Sequence, residues 1–74
     1  MKARTLQRRI GDAVRKRREA LGVSQEAFAD RIRMHRAYYG ALERGEKNLQ
    51  LSTLERVCRG LDVEMSEVLQ EAEA

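Results

Sequence analysis

"SQEAFADRIRMHRAYYGALERG", residues 24–45, is the stretch whose reading decides the fold. Its apolar residues are too few and too closely spaced for one long helix, and they divide into two short faces. Phe28, Ala29 and Ile32 make the inward face of one helix, and Tyr39 and Leu42, three residues apart, that of a second. Ser24 is placed as the N-cap of the first, its hydroxyl accepting a backbone N–H, and Glu26 stands in the first turn, where the helix dipole favours negative charge. Met34 seals the turn between the two. The second helix should run from about His35 or Arg36 to Arg44 and end at Gly45.

The same period of apolar residues continues on both sides. Leu6, Ile10, Val14 and Leu21 form one stripe of an earlier helix that should stop near Gly22, a residue able to take a left-handed cap. Residues 46–51, "EKNLQL", read as a loop delivering Leu49 or Leu51 to the core. Ser52 followed three residues later by Glu55 reads as a capping box, with Leu54, Val57, Cys58 and Leu61 following at helical spacing. A short final helix is expected from about Met65 to Gln70, using Val68 and Leu69. Five short helices without a strand signal predict an all-α domain spanning residues 1–74, with the helical pair at 24–45 at its centre.

The chain has 74 residues, 42% hydrophobic and 36% charged, which describes a folded, charge-coated protein. No apolar run approaches the roughly 18 residues that span a bilayer, and no signal-peptide pattern opens the chain, so a cytoplasmic protein without membrane partners is expected. One Cys and one His leave no internal disulfide, metal cluster or nucleophile–base pair. No metal, cofactor or enzymatic activity is therefore expected. Charge is distributed unevenly: residues 1–37 carry 11 Lys/Arg against 4 Asp/Glu, and residues 38–74 carry 4 against 8. A basic half on a small protein points to a polyanion such as nucleic acid, although a solvated helix face has the same composition.

One charge falls on the wrong face. Extending the stripe Leu6, Ile10, Val14 by four residues lands on Arg18, whose guanidinium would then point at the core. Either it snorkels outward along its own stem, or a carboxylate pairs with it, and Glu43 beside the core position Leu42 is the candidate.

From Arg18 to Leu69 the residues resemble the phage repressor and Xre-type helix-turn-helix family. "LGVSQEAFADRI" (21–32), "HRAYYGALERGEKN" (35–48) and "LSTLERVCRGLDV" (51–63) carry the resemblance, and the short chain with "HRAYYGALERGEKN" looks most like the controller proteins of restriction-modification systems. The resemblance implies a compact five-helix, lambda-repressor-like DNA-binding domain in which Arg18 pairs with Glu43 and the small Ala29 lets two helices cross closely. Four positions depart from the family pattern. Arg33 stands where the tight turn usually has glycine, Tyr39 replaces a commoner Ile or Val at a core position so that its hydroxyl needs a partner or solvent, Gly40 sits inside the recognition helix, and Asp62 replaces a capping glycine.

In a helix-turn-helix the second helix of the pair lies in the major groove and its N-terminal residues reach base edges. The expected base readers are therefore Arg36, matched to O6 and N7 of guanine, then Ala37 beside a thymine methyl, with Gly40 and Ala41 facing the same groove. Gln25, Arg33, His35, Tyr38, Lys47 and Asn48 are expected to hold phosphates. Most arginines of "VRKRRE" and "MKARTLQRR" read as a solvated face adding long-range attraction. Cys58 reads as a core residue. The implied function is a sequence-specific transcriptional regulator binding double-stranded DNA as a homodimer, its interface built from Met65, Val68 and Leu69 with Leu61 and Val63. The rival reading is an antitoxin-like module whose main partner is a toxin or other protein, with DNA binding secondary.

Overall fold

A computed structural model describes residues 5–74, which form five helices and no strand. These are α1 (Leu6–Ala20), α2 (Gln25–Arg31), α3 (Arg36–Glu43), α4 (Leu51–Leu61) and α5 (Met65–Glu73). Each boundary has a local cause. The Thr5 hydroxyl caps α1 by accepting from Arg8 N at 3.1 Å, and Gly22, at φ 72°, takes the left-handed turn after it. Ser24 accepts from Ala27 N at 3.1 Å to start α2. Arg33, at φ 56°, then does what glycine usually does, and the next amide, Met34 N, bonds back to Ala29 O at 2.8 Å. Asp62 repeats the device after α4 at φ 60°.

Two expected features are corrected here. The capping box is not at Ser52–Glu55: Gln50 is the N-cap of α4, and the amides of Thr53 and Leu54 already close on Gln50 O at 3.0 and 3.1 Å. Ser52 therefore lies inside the first turn, where its backbone is helical and cannot serve as the extended cap. The capping box occurs instead at α5, between Glu64 and Glu67, with Glu64 N donating to Glu67 Oε2 at 2.9 Å. The last helix also runs beyond Gln70 to Glu73, which brings Ala72 into the core.

The core gathers Ile10, Ala13 and Val14 of α1, Phe28 and Ala29 of α2 with Ile32 after it, Tyr39 and Leu42 of α3, Leu54, Val57, Cys58 and Leu61 of α4, and Val68 and Ala72 of α5. Phe28 and Tyr39, both fully buried, pack with ring centroids 5.2 Å apart, a tilted pair that stabilises by about 0.5–1.5 kcal/mol beyond its area. Burial pushes the Cys58 thiol pKa up, consistent with a packing role. Leu49, not Leu51, is the loop residue that packs on the core. Leu6 and Leu21 are 42% and 48% exposed, since they sit at the two ends of α1 where few neighbours reach them.

Contacts on two sides align α1 with its neighbours. Toward α5, Arg17 makes a two-pronged bond to Glu71 at 3.0 and 2.8 Å, and Arg9 Nη1 donates to Ala72 O at 3.0 Å. Part of the basic N-terminal half is thus spent on the fold; Lys2 and Arg4 lie outside the described residues. Toward α3, the backbones meet at Gly11, where a Cβ would lie 2.8 Å from Leu42 O and closer still to Glu43 O. Both are backbone atoms that cannot swing aside as a side-chain end can, and Leu42 O already accepts from Gly45 N at 3.0 Å. Gly11→Ala should therefore cost about 1–3 kcal/mol by overpacking. For a chain this size a thermal melt should show Tm lowered by roughly 4 °C or more, and an unchanged Tm would contradict the close crossing.

Candidate nucleic-acid interface

The N-terminal end of α2 and the outward face of α3 enclose a shallow groove of about 680 Å³. Its walls include Gln25 and Glu26 on one side and Arg36, Ala37, Gly40 and Arg44 on the other. The turn through Arg33 brings the two helices together, and the His35 imidazole caps α3 by accepting from Ala37 N through Nδ1 at 3.2 Å. With Nδ1 so used, Nε2–H is the outward donor.

Beneath the groove lies a buried carboxylate. Glu43, 4% exposed, accepts from Arg18 Nε at 2.6 Å, Arg18 Nη2 at 3.1 Å, Gln25 Nε2 at 2.8 Å and the Tyr39 hydroxyl. The remaining prong of Arg18 donates to Val23 O at 2.8 Å, so Arg18, 8% exposed, is fully engaged. Burial pushes the Glu43 carboxyl pKa up, but the hydrogen bonds from Arg18, Tyr39 and Gln25 outweigh it and hold the group below its ordinary value. The same bond to Glu43, opposed by burial, raises the pKa of Arg18. Burial first, then the bond to Glu43, raises that of Tyr39 far above the phenol range. Tyr39 thus stays a neutral donor.

The side chains expected at a DNA surface are distributed unequally. Arg36 is exposed, and its Nη1 lies 3.5 Å from Glu26 Oε2 across the groove. Ala37 is exposed beside it. Gly40 lies at the groove floor, where a Cβ would meet Arg44 Nη1 at 3.3 Å and Gln25 Oε1 at 3.6 Å. Ala41 is the exception: it is 7% exposed, turned from the groove by its place on the helix, and its methyl has almost no surface to offer a base. Gln25 is half-buried and spends one amide N–H on Glu43, which leaves it only its second for a phosphate. Arg33 is exposed, Tyr38 half-buried, and Lys47 Nζ rests 5.4 Å from the centroid of the Tyr38 ring. Asn48 Oδ1 accepts from Gln7 Nε2 at 3.0 Å, leaving its own N–H groups outward. Arg44, missed in the sequence, stands one residue past α3 on the same groove, bonded to Glu46 at 2.9 and 3.3 Å. Its spacing of four from Gly40 was the available signal.

Among the residues expected to join two copies, Leu61 and Val68 are 4% and 0% exposed within the chain itself. Their side chains close the α4–α5 part of the core and cannot also form an outer surface. Val63, Met65 and Leu69 are only partly covered and remain at that surface.

A family model described as helix-turn-helix (HTH_3) matches residues 14–68. The control protein C.MunI of Mycoplasma sp is 38% identical over 66 residues, which cover 88% of this chain and 89% of that protein. Among solved structures, the clp gene regulator ClgR from C. glutamicum superposes with a TM-score of 0.91 at 32% identity, covering 96% of this chain and 92% of that one. The restriction-modification controller protein C.Esp1396I, solved as a tetramer in complex with its natural 35 base-pair operator, does so with a TM-score of 0.83 at 28% identity. That match covers 97% of this chain and all of that one.

The Glu43 cluster predicts a pH dependence of stability. Its carboxyl holds a proton less readily in the folded chain than in the unfolded one. The stabilisation is therefore complete above the unfolded value, about pH 4.5, and is lost as pH falls through the lower folded value. Glu43→Gln leaves Arg18 buried without its counter-charge, a loss of roughly 3–5 kcal/mol at neutral pH. Melting curves of the two proteins against pH should show a constant gap above about pH 5 that narrows in acid; a gap independent of pH would contradict the assignment.

Proposed function

The chain belongs to the helix-turn-helix (HTH_3) family, and from that premise we propose that it is a sequence-specific transcriptional regulator of the restriction-modification controller type, binding operator DNA as a homodimer. The observation that carries this reading is the placement of Arg36: an exposed guanidinium in the first turn of α3, on a helix whose other face is locked by the buried Arg18–Glu43 pair. Such a regulator acts by occupying DNA rather than by catalysis, and works in the cytoplasm where that DNA is. Among the described residues no helix is long and apolar enough to cross a membrane.

In the free protein Arg36 Nη1 makes one 3.5 Å contact with Glu26. Both side chains are about two-thirds exposed, at 67% and 68%, so the pair is worth no more than about 1 kcal/mol. Guanine O6 and N7 offer two hydrogen bonds in place of that one long contact and can displace Glu26, and the bidentate pair discriminates against a wrong base by about 1–3 kcal/mol. Ala37 then meets a thymine methyl, and Gly40 lets the helix axis come close. With Ala41 covered, few direct base contacts remain, and sequence-dependent DNA shape carries part of the specificity. The phosphate contacts fall to Arg33, to the second amide N–H of Gln25, to His35 Nε2–H, to the Tyr38 hydroxyl, and to Lys47 and Asn48 beyond α3. Lys47 is held over Tyr38 by a cation–π contact worth about 0.5–1 kcal/mol at an exposed site.

A domain of this size covers one half-site, and paired half-sites of this class lie about 34–36 Å apart, which calls for a two-fold dimer. We assign its interface to Val63, Met65 and Leu69, the members of the expected set that the monomer core leaves at the surface.

Binding measurements on duplexes selected from random DNA test the reading. Arg36→Ala should weaken cognate binding by about 1–3 kcal/mol and relax one base position, whereas Lys47→Ala should weaken all sequences alike and reduce the salt slope by about one. Equal effects of Arg36→Ala on cognate and random duplexes would defeat the base-reading role. In light scattering, Met65→Glu combined with Leu69→Glu should convert a dimer to a folded monomer; a persistent dimer would place the interface elsewhere.

A further inference from the structure

A concentration of positive charge outside the reading groove lies at the opposite end of α2. Arg31 ends α2, Arg33 makes the left-handed turn, and Arg56 and Arg59 project from α4. Together they line a cleft of about 580 Å³ floored by Ile32 and Gly60. Gly60 has a structural reason to be there, since a Cβ on it would run into Ile32 and the Phe28 ring, so its small size lets α4 pack closely on α2 beneath the cleft. All four arginines are exposed, and the cleft lining holds no acidic side chain. Arg59 has only a 3.5 Å contact with the exposed Glu55, and Arg31 only a 3.5 Å contact with Gly60 O, the outer limit of a hydrogen bond. Among the described residues no ion pair engages Arg33 or Arg56. Four exposed guanidiniums, with Glu55 beside Arg59 the one carboxylate paired to them among the described residues, make a positive surface that favours an anionic occupant.

We infer that this cleft is a second phosphate site, formed by Arg31, Arg56 and Arg59 together with Arg33, which takes the DNA backbone at the rim of the groove that α3 reads. The inference rests on the DNA-binding reading above. Chain geometry favours backbone phosphate over an acidic protein segment. Arg33 is three residues before Arg36, so their Cα atoms are at most about 11 Å apart. A major groove is only about 12 Å wide, so a helix whose first turn reads bases has a rim strand beside the turn that precedes it. From Arg33 the other three arginines continue the positive surface away from the groove, toward α4. Seven residues of α2, about 10 Å of helix, separate this cleft from Gln25, so the two sites touch different stretches of backbone. Planar guanidiniums suit phosphate oxygens better than ammonium groups do, and all four positions are Arg.

The test is the salt dependence of DNA binding by the full chain carrying Arg31→Ala, Arg56→Ala and Arg59→Ala together, compared with the unaltered protein on a selected duplex and on a mixed-sequence duplex. Each lost phosphate contact lowers the slope of log Kobs against log salt by about 0.9, so the triple variant should lose about 2 to 3 in slope on both duplexes while keeping its base preference. The corresponding triple Lys variant should retain most of the slope, which separates charge loss from misfolding. An unchanged slope in the Ala variant overturns the inference. So does loss of binding to a poly-glutamate peptide with DNA binding intact, which would assign the cleft to an acidic protein partner. If the unaltered protein binds no duplex, the functional reading itself falls; if it binds and loses specificity only with Arg36→Ala while the triple variant behaves as the parent, only the cleft assignment falls.

Discussion

The structure depends on one buried carboxylate. Removing two charges from water costs several kcal/mol per ion, and the cost is recovered only where the geometry is close and the remaining lone pairs and protons are satisfied. Glu43 meets that condition by accepting two bonds from Arg18, one from Gln25 and one from Tyr39. Those donors come from α1, α2 and α3, so the carboxylate is complete only when the three helices stand in one arrangement. An apolar core tolerates small shifts of a helix along its neighbour. A four-donor carboxylate does not, because a shift leaves a charge unpaired.

That constraint matters because α2 and α3 have seven and eight residues. Isolated helices of this length are marginal in water, and their stability comes from tertiary packing. The buried pair, the Phe28–Tyr39 contact and the Gly11 crossing supply it from below, on the face of α3 opposite Arg36. Gln25 links the two sides, with one amide proton on Glu43 and its oxygen against Gly40 at the groove floor. The reading surface and the core therefore share a residue. A disturbance of Glu43 reaches the groove through one hydrogen bond.

The sequence was most legible where periodicity and local chemistry act alone. The helix faces of α2 and α3, the Ser24 cap and the left-handed Gly22 and Gly45 all follow from spacing and backbone preference. It was least legible where two elements compete for one residue. Ser52 and Glu55 have the pattern of a capping box, yet the chain enters α4 two residues earlier, with Gln50 as the cap, while Glu64 caps α5 despite being an uncommon cap residue. Leu61 and Val68 have the composition of an interface but are consumed by the core. Ala41 shares a helix with Arg36, but only its neighbours in space reveal that its methyl is covered.

By itself the sequence determined the number and type of elements, the position of the helical pair at residues 24–45 and the outward placement of Arg36, because these depend on the 3.6-residue period and on caps that act within a few residues. Tertiary structure alone decided that Glu43 is satisfied from three helices, that Gly11 is the point where α1 and α3 touch, that Arg9 and Arg17 serve α5, and that four arginines from α2, its following turn and α4 share one cleft. Each of these joins residues far apart in the chain. Periodicity says which way a side chain points from its own helix, and only packing says what it meets there.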